Sequence, residues 1–537
     1  MRDQRLQISD ILRNIDQSTL GNLDIPEFQR DFVWTPEKVK KLVDSLWRRY
    51  PIGSILLWSA SYFSARNAQS AQSNKDWIID GQQRITALAF LFGKKPYWWP
   101  DATSWNRAIE RFDVLVNLKN KKDRLEFGLP NPIRKVSSEW ISVRKILNSN
   151  NLAELAEEIK QKLPDQSFTE IHEKLHSINK IKEFPIYEII VDHELEDVAE
   201  IFGRLNSAGT RVRESDIITA LVASKQVGWV RGSFNKYLKD LETRGFDLDP
   251  SVLIRTLGII LSDGTARLKD ISKEKWDPSP HFDECWTKTK DAVSYIIKNL
   301  NQYGILSSDI LPSYNALIPL FILYSKFPSN FDFKKGLRWF LLATLDGRYS
   351  GSSVTTLDQD SKAIYNSASF EDALSKLIIS VKDQSEFSNK DFLLGSYKDE
   401  SMQLIIYLTV FSNKAMDWVN QDIRIGYDRS VNGLNEGFRP EWHHFFPKKI
   451  LRENSIEESD INSIANIAVL NERANRSFAS KFPSDYLAKF NVSKDRLKEQ
   501  CFPEDMDYST VRGYKDFLAK RSELLACAAN QFMRNLS

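Results

Sequence analysis

At 537 residues the chain is too long for one ordinary domain, and about 100–200 residues per domain gives roughly three. Apolar residues make up 42%, enough for sizeable cores without disulfide support. The 74 Lys+Arg and 72 Asp+Glu leave a net charge of +2, which excludes a polybasic nucleic-acid coat, an acidic mimic and a strongly charged disordered chain, but not a local basic patch.

In chain order, Leu23 to Trp34 reads as extended, because Pro26 disfavours helix. Thr35-Pro36-Glu37 then opens a helix with a capping hydroxyl, a proline at the first helical position and an acid at the positive dipole end. Val39, Leu42, Val43, Leu46 and Trp47 form its apolar stripe, and Pro51 stops it. Ile55 to Trp58 and Trp77 to Ile79 are short apolar strands, Asp80-Gly81 is a turn, and Ile85 to Phe92 lies in the next helix. Ile186 to Val191 reads as a strand, followed by two short helices around Asn206-Ser207-Ala208-Gly209. From Lys225 to Asn420 the signal is helical, with stripes such as Val252, Leu253, Leu257 and Ile260. Within it, Ala316 to Tyr324 is too short to span a bilayer, which takes about 20 residues, and with Pro319 reads as a buried, kinked helix. After Gln421, Gly426, Gly433 and Gly437 break the helical run before a His-His doublet and a helical tail. The expected class is α+β and mostly helical, in regions 1–224, 225–420 and 421–537.

Cys285, Cys501 and Cys527 form no C-x-x-C pair, so neither a zinc ribbon nor a disulfide framework is supported. The N-terminal MRDQRLQISDILRNI lacks the apolar core of a signal peptide. A cytoplasmic protein without membrane association is expected.

WIIDGQQRITAL combines a strand, a tight turn and a helix start. Glycine in such a turn lets the backbone approach a ligand, and the amides of a helix N-terminus suit a phosphate. Arg84 adds a forked, charge-assisted contact, while Gln82 and Gln83 offer donors and acceptors. On its own the segment also reads as a solvated turn, and no G-x-x-x-x-G-K-[ST] loop is present. With its surroundings it says more. IPEFQRDFVW, a helix, YPIGSILLW and DGQQR, in that order, resemble the N-terminal domain of GmrSD-type restriction endonucleases, which has a ParB/sulfiredoxin-like fold. Gly81, Arg84 and Ala87 match the G-x-x-R-x-x-A phosphate box of the ParB superfamily. IFGRLNSAGTRVRESDII, with Asn206 and Gly209, matches a further block, and RYSGSS at Arg348 to Ser353 resembles one in the helical region. The resemblance implies that a nucleoside triphosphate is bound and hydrolysed. It puts Asp80, Gly81, Gln82, Gln83 and Arg84 at the phosphates, with Gln29 and Arg30 facing the same pocket.

The second constellation is EWHHFFPKKIL followed by INSIANIAVLNERANRSFASK. A metal-dependent nuclease needs a divalent cation and a base that activates water. Adjacent strand residues point to opposite faces, so His443 and His444 share a site only if the chain bends, and Phe445, Phe446 and Pro447 can supply the wedge. A His-His pair alone reads more readily as a core or capping feature than as a site. The doublet, the proline three residues on, and Asn466 and Asn475 together resemble the HNH (ββα-metal) nuclease pattern, and Lys481 matches the GmrSD-type C-terminal block. The resemblance implies His444 as general base and Asn466 as the residue that pins the loop and orients it. His443 and Asn475 become ligands to one Mg2+ or Mn2+. Two departures stand out: His443 replaces the usual acid, a softer ligand that lets Mn2+, Ni2+ or Zn2+ compete with Mg2+, and Ala465 replaces a glycine.

Lys448, Lys449, Arg452, Arg473, Arg476 and Lys481 flank this motif, where they can neutralise DNA phosphates or simply form solvated helix faces. In KKPYWWPD, Lys94 to Asp101, core packing is preferred to stacking on a flipped base.

The implied architecture is a ParB-like nucleotide-binding domain (1–224), a helical linking region (225–420) and an HNH nuclease domain (421–537). The implied function is modification-dependent (type IV) DNA cleavage in antiviral defence, with the nucleotide regulating the nuclease. Modified phage DNA, an NTP, a second copy of the chain and other proteins of a defence system are the partners it suggests. A non-catalytic, nucleotide-gated DNA- or partner-binding regulator with a degenerate HNH tail, and a stand-alone nucleotidase, remain as alternatives.

Overall fold

A computed structural model describes residues 2–15, 23–25, 32–59, 76–96, 98–99, 101–193, 214–226, 228–351, 353–381, 386–419, 421–426, 440–471, 478 and 481–537. The chain forms two compact units, Met1–Ser233 and Phe234–Ser537. Gln29, Arg30, Asn206, Gly209, Arg473, Asn475 and Arg476 lie outside the described residues.

The first unit is built on a mixed five-stranded sheet. Its strands are β1 (Arg2–Gln7), β2 (Leu23–Asp24), β3 (Ile55–Ser59), β4 (Asp76–Asp80) and, after a separate small sheet, β8 (Pro185–Val191). The order is β1-β8-β3-β4-β2. β3 runs parallel to β8 and antiparallel to β4, while β1 is antiparallel to β8 and β2 parallel to β4. The composition of each strand fits its place. Central β3, ILLWS, is buried over its first four residues, as a strand covered on both faces must be. Among the described residues, β1, RDQRLQ, at one edge is charged and largely exposed, and β2 at the other covers Leu23–Asp24. The small sheet, β6-β5-β7, consists of β5 (Leu115–Asn117), β6 (Glu126–Gly128) and β7 (Trp140–Ser142), all antiparallel.

The helix opened by Thr35 spans Pro36–Trp47; the Thr35 side chain accepts from the Lys38 amide, and Val39, Leu42, Val43 and Leu46 are buried. Gln82–Phe92 is the helix after the Asp-Gly turn. The tryptophan-rich turn belongs to the core: Trp98 is buried and donates to Thr86 Oγ1 at 3.2 Å, and Trp99 packs edge-on against Phe90. Phe90 also stacks on Phe112 at 5.0 Å.

Among the described residues the second unit is helical apart from one ribbon. Pro250–Ser262 carries the expected stripe, but Ile254, Thr256, Ile259 and Leu261 are buried as well, so the helix is enclosed on all sides. Pro319 does not kink a helix. It sits in the first turn of Ile318–Lys326, after a 3-10 turn over Asn315–Leu317, where its missing N–H costs nothing. Arg348 and Tyr349 of RYSGSS converge on the buried carboxylate of Asp360: Arg348 Nε donates to Oδ2 at 2.9 Å, Nη2 to Oδ1 at 2.5 Å, and the Tyr349 hydroxyl to Oδ2 at 2.6 Å. The ribbon is β9 (Glu441–His444) paired antiparallel with β10 (Ile467–Leu470). The terminal helix Tyr514–Arg534 packs against Asn389–Leu393 and Glu400–Ser412, so residues after 421 share a compact unit with helices before it. No helix among the described residues is long and apolar enough to cross a membrane.

Candidate functional site

In the first unit the Asp-Gly turn closes on itself through Arg84. Gly81, at φ +99°, is the N-cap of the Gln82–Phe92 helix and, having no side chain, offers no cap of its own. Arg84 folds back so that Nη2 meets Asp80 Oδ2 at 2.7 Å and Nη1 donates to the Ile52 carbonyl at 2.6 Å. Gly53, at φ +82°, lies beneath the guanidinium, and a Cβ there would come within 2.6 Å of Nη1. Both glycines therefore allow a conformation and a close approach that other residues resist. Gln83 reaches the other family segment, its Oε1 accepting from the Val33 amide at 2.8 Å. The structure thus gathers Asp80, Gly81 and Arg84 with Ile52 and Gly53 of YPIGSILLW, and Gln83 with Val33 of IPEFQRDFVW. Gln82 is buried. Gly53 went unnoticed in the sequence, where only the Pro-Ile-Gly punctuation marked it.

In the second unit the histidine doublet ends β9, with His443 opposite Ala468 and His444 opposite Ile467. The chain then bends around Asn466, which is fully buried. The Phe445 amide donates to Asn466 O at 2.8 Å and the Phe446 amide to Asn466 Oδ1 at 2.9 Å. Asn466 Nδ2 returns bonds to the carbonyls of Phe446 at 3.1 Å and Ile461 at 3.2 Å. Phe445 and Phe446 anchor the bend in a core with Trp418, Phe517 and Tyr514. Tyr486 donates its hydroxyl to Phe445 O at 2.8 Å. Pro447 then precedes the helix Lys448–Glu453. HHFFP is therefore a strand end, a packed bend and a helix start.

The two imidazoles lie in different surroundings. His443 is buried against the rings of Phe478 at 5.0 Å and Tyr486 at 5.6 Å. His444 packs edge-on against Tyr397 at 4.8 Å. Burial lowers the His444 pKa to about 3, helped by Lys448 and His443 and opposed by the Asn462 amide, so the ring is neutral at pH 7. Its Nε2 is buried without a hydrogen-bond partner among the described residues. Such an atom is costly unless a water, an ion or a substrate meets it. Of the basic side chains, Lys448 donates to Tyr397 Oη at 3.0 Å and Arg452 pairs with Glu458, while Lys449 and Lys481 are exposed.

Three further residues support this centre, and none stood out in the sequence. Fully buried Arg521 donates to the Ala465 carbonyl at 2.7 Å and to that of Ile467 at 2.6 Å, and its guanidinium covers Phe502. Burial lowers its pKa to about 9, which leaves it charged at neutral pH. Gln500 bonds both the N–H and the C=O of Val469 in β10, each at 2.9 Å. Tyr397 reaches His444 from before the ribbon.

Among the described residues no three His, Cys, Asp or Glu side chains cluster as a ready metal cage. Of the two metal ligands that the sequence suggests, only His443 lies among the described residues. A single imidazole suits only a divalent cation that takes most of its ligands from water and phosphate oxygens.

Residues 8–223, nearly the whole first unit, match the family described as GmrSD restriction endonuclease, N-terminal domain. Over these residues the chain is similar to that N-terminal domain; residues 224–537 lie outside the match. Similarity over the full length joins it to the uncharacterized protein MJ0686 of Methanocaldococcus jannaschii: 22% identity, covering 95% of this chain and 94% of that one.

Proposed function

We propose that this protein is a metal-dependent DNA endonuclease of the modification-dependent (type IV) restriction kind, acting in antiviral defence. Its first domain binds and hydrolyses a nucleoside triphosphate and thereby regulates cleavage by an HNH centre around His444. The observation that carries the reading is the Asn466-pinned bend. It ends a strand on a neutral His444 whose Nε2 is open, with His443 adjacent. In the first domain, the helix start at Gly81 and the Arg84 guanidinium beside it support a phosphate site.

His444 would take a proton from the attacking water at Nε2 and later release it to solvent. Asn466 holds the backbone that presents the imidazole, and Arg521 braces the carbonyls on either side of Asn466. His443 and Asn475 would hold Mg2+ or Mn2+, which when bound supplies positive charge to the phosphate and the leaving oxygen. Lys448, held at Tyr397 close to His444, would meet a DNA phosphate. A double-strand break would need two such centres on one DNA, as in a pair of copies of this chain.

The test is one cleavage panel: glucosylated, methylated, phosphorothioated and plain DNA, with Mg2+ or Mn2+, with and without each NTP. We expect metal-dependent cleavage of modified DNA that changes with NTP and disappears in His444→Ala. Cleavage that survives His444→Ala would remove the site assignment. A second reading, a nucleotide-gated regulator without nuclease activity, draws on His443 in place of the usual acid; it predicts binding but no nicking with any metal.

A further inference from the structure

The segment just before the Glu400–Ser412 helix is stitched to the centre. The Tyr397 amide donates to Asn462 O at 2.9 Å, and the Ile464 amide donates to Gly395 O at 2.8 Å. Ser396 and Ser463 pair as an antiparallel bridge, and Ser463 Oγ donates to Leu393 O at 2.8 Å. This strap lies against the segment that enters the 3-10 turn carrying Asn466, and its bonds fix the Tyr397 backbone. The side chain then makes two contacts at once. Its ring meets the His444 ring at 4.8 Å and 74°, an edge-to-face geometry worth about 0.5–1.5 kcal/mol beyond area burial. Its hydroxyl accepts from Lys448 Nζ at 3.0 Å, and the ammonium lies 4.2 Å from the ring centroid.

We propose that Tyr397 is a positioning residue of the nuclease centre: its ring sets the orientation of the His444 imidazole, and its hydroxyl holds the Lys448 ammonium beside that imidazole to receive a DNA phosphate. The inference rests on the nuclease reading above and extends the centre to a residue from before the ribbon. Lys448 lowers the Tyr397 phenol below its ordinary range, chiefly by hydrogen bonding, in keeping with a charged partner at the hydroxyl. A lysine without a fixed partner loses much rotamer entropy on meeting a phosphate, and one already held loses less. Likewise an imidazole wedged by a ring does not have to be ordered when substrate arrives.

The experiment uses the full chain, modified plasmid DNA and Mn2+, and compares Tyr397→Phe, Tyr397→Ala, Lys448→Met and the Tyr397→Phe/Lys448→Met double variant by kcat and KM. Tyr397→Ala, which loses both contacts, should lower kcat by about tenfold or more. Tyr397→Phe keeps the ring, so kcat should return close to wild type while KM rises about as far as in Lys448→Met. The double variant should raise KM no further than either single change, because both remove one interaction. Wild-type kcat in Tyr397→Ala, no recovery of kcat with Phe, or additive KM effects would each overturn the proposal. If Tyr397→Ala does not fold, the Phe, Met and double variants still decide through the KM comparison. Should His444→Ala be inactive while every Tyr397 variant behaves as wild type, this inference alone fails. Should the wild type cut no DNA with any metal, the nuclease reading fails with it.

Discussion

Arg521 brackets Asn466: one guanidinium bonds the carbonyls of the residues immediately before and after it, Ala465 at 2.7 Å and Ile467 at 2.6 Å. The residue that pins the bend is thus pinned in turn by a charge from the terminal helix. Replacing Arg521 with Met fills similar space but strands two buried carbonyls, each costing roughly 1–3 kcal/mol. Arg521→Met should therefore lower the denaturation free energy by about 2–5 kcal/mol. Arg521→Lys should do nearly as badly, because an ammonium cannot span both carbonyls as a planar fork does. A denaturant titration showing no loss would leave the bracket without energetic weight.

Asn466 makes its side-chain bonds in full burial, so truncation leaves the Phe446 amide and two carbonyls unsatisfied. Asn466→Ala should cost about 2–4 kcal/mol. It should also slow cleavage at least tenfold at a temperature where the variant remains folded, because the bend that presents His444 is released. Normal cleavage by folded Asn466→Ala would separate the asparagine from the base.

Arg84 has two internal partners, the Asp80 carboxylate and the Ile52 carbonyl. Arg84→Ala is expected to reduce NTP affinity and to destabilise the first unit by about 1–3 kcal/mol. Arg84→Lys should not restore the affinity, since it cannot serve both partners and a phosphate. Calorimetric titration with NTP decides the point: unchanged affinity in Arg84→Ala removes it from the phosphate site.

The pH dependence of stability follows from His444. Folding lowers its pKa from 6.5 to about 3, so between those values the unfolded chain binds a proton that the folded chain refuses. Its contribution is complete above pH 6.5 and drains away as pH falls towards 3, at up to about 1.4 kcal/mol per pH unit. Denaturation midpoints at pH 7.5, 5.5 and 4.5 should fall more steeply in wild type than in His444→Gln. Parallel curves would place the acid sensitivity elsewhere.

Sequence reading reached whatever is encoded locally. Thr35-Pro36, Asp80-Gly81 and HHFFP carry their own caps, turn and wedge, and each folds as its residues require. What it missed depends on partners far along the chain. Tyr397 lies 51 residues before the lysine it holds and Arg521 lies 56 after Ala465, and nothing near either marks the meeting. RYSGSS resembles a family block, but the reason for its first two residues is Asp360, visible only once the helices are packed. At Pro319 the signal was present and its position was misjudged, because a proline starts a helix as readily as it bends one.

Gln500 gives the ribbon a property unrelated to catalysis. A two-stranded hairpin normally leaves outward backbone groups able to recruit a strand from another molecule, a familiar route to polymerisation. At Val469 that template is blunted by a side-chain amide, which occupies both the N–H and the C=O. Any companion molecule, nucleic acid or protein, that docks beside the ribbon there must do so through side chains, because at that residue no backbone edge remains to extend.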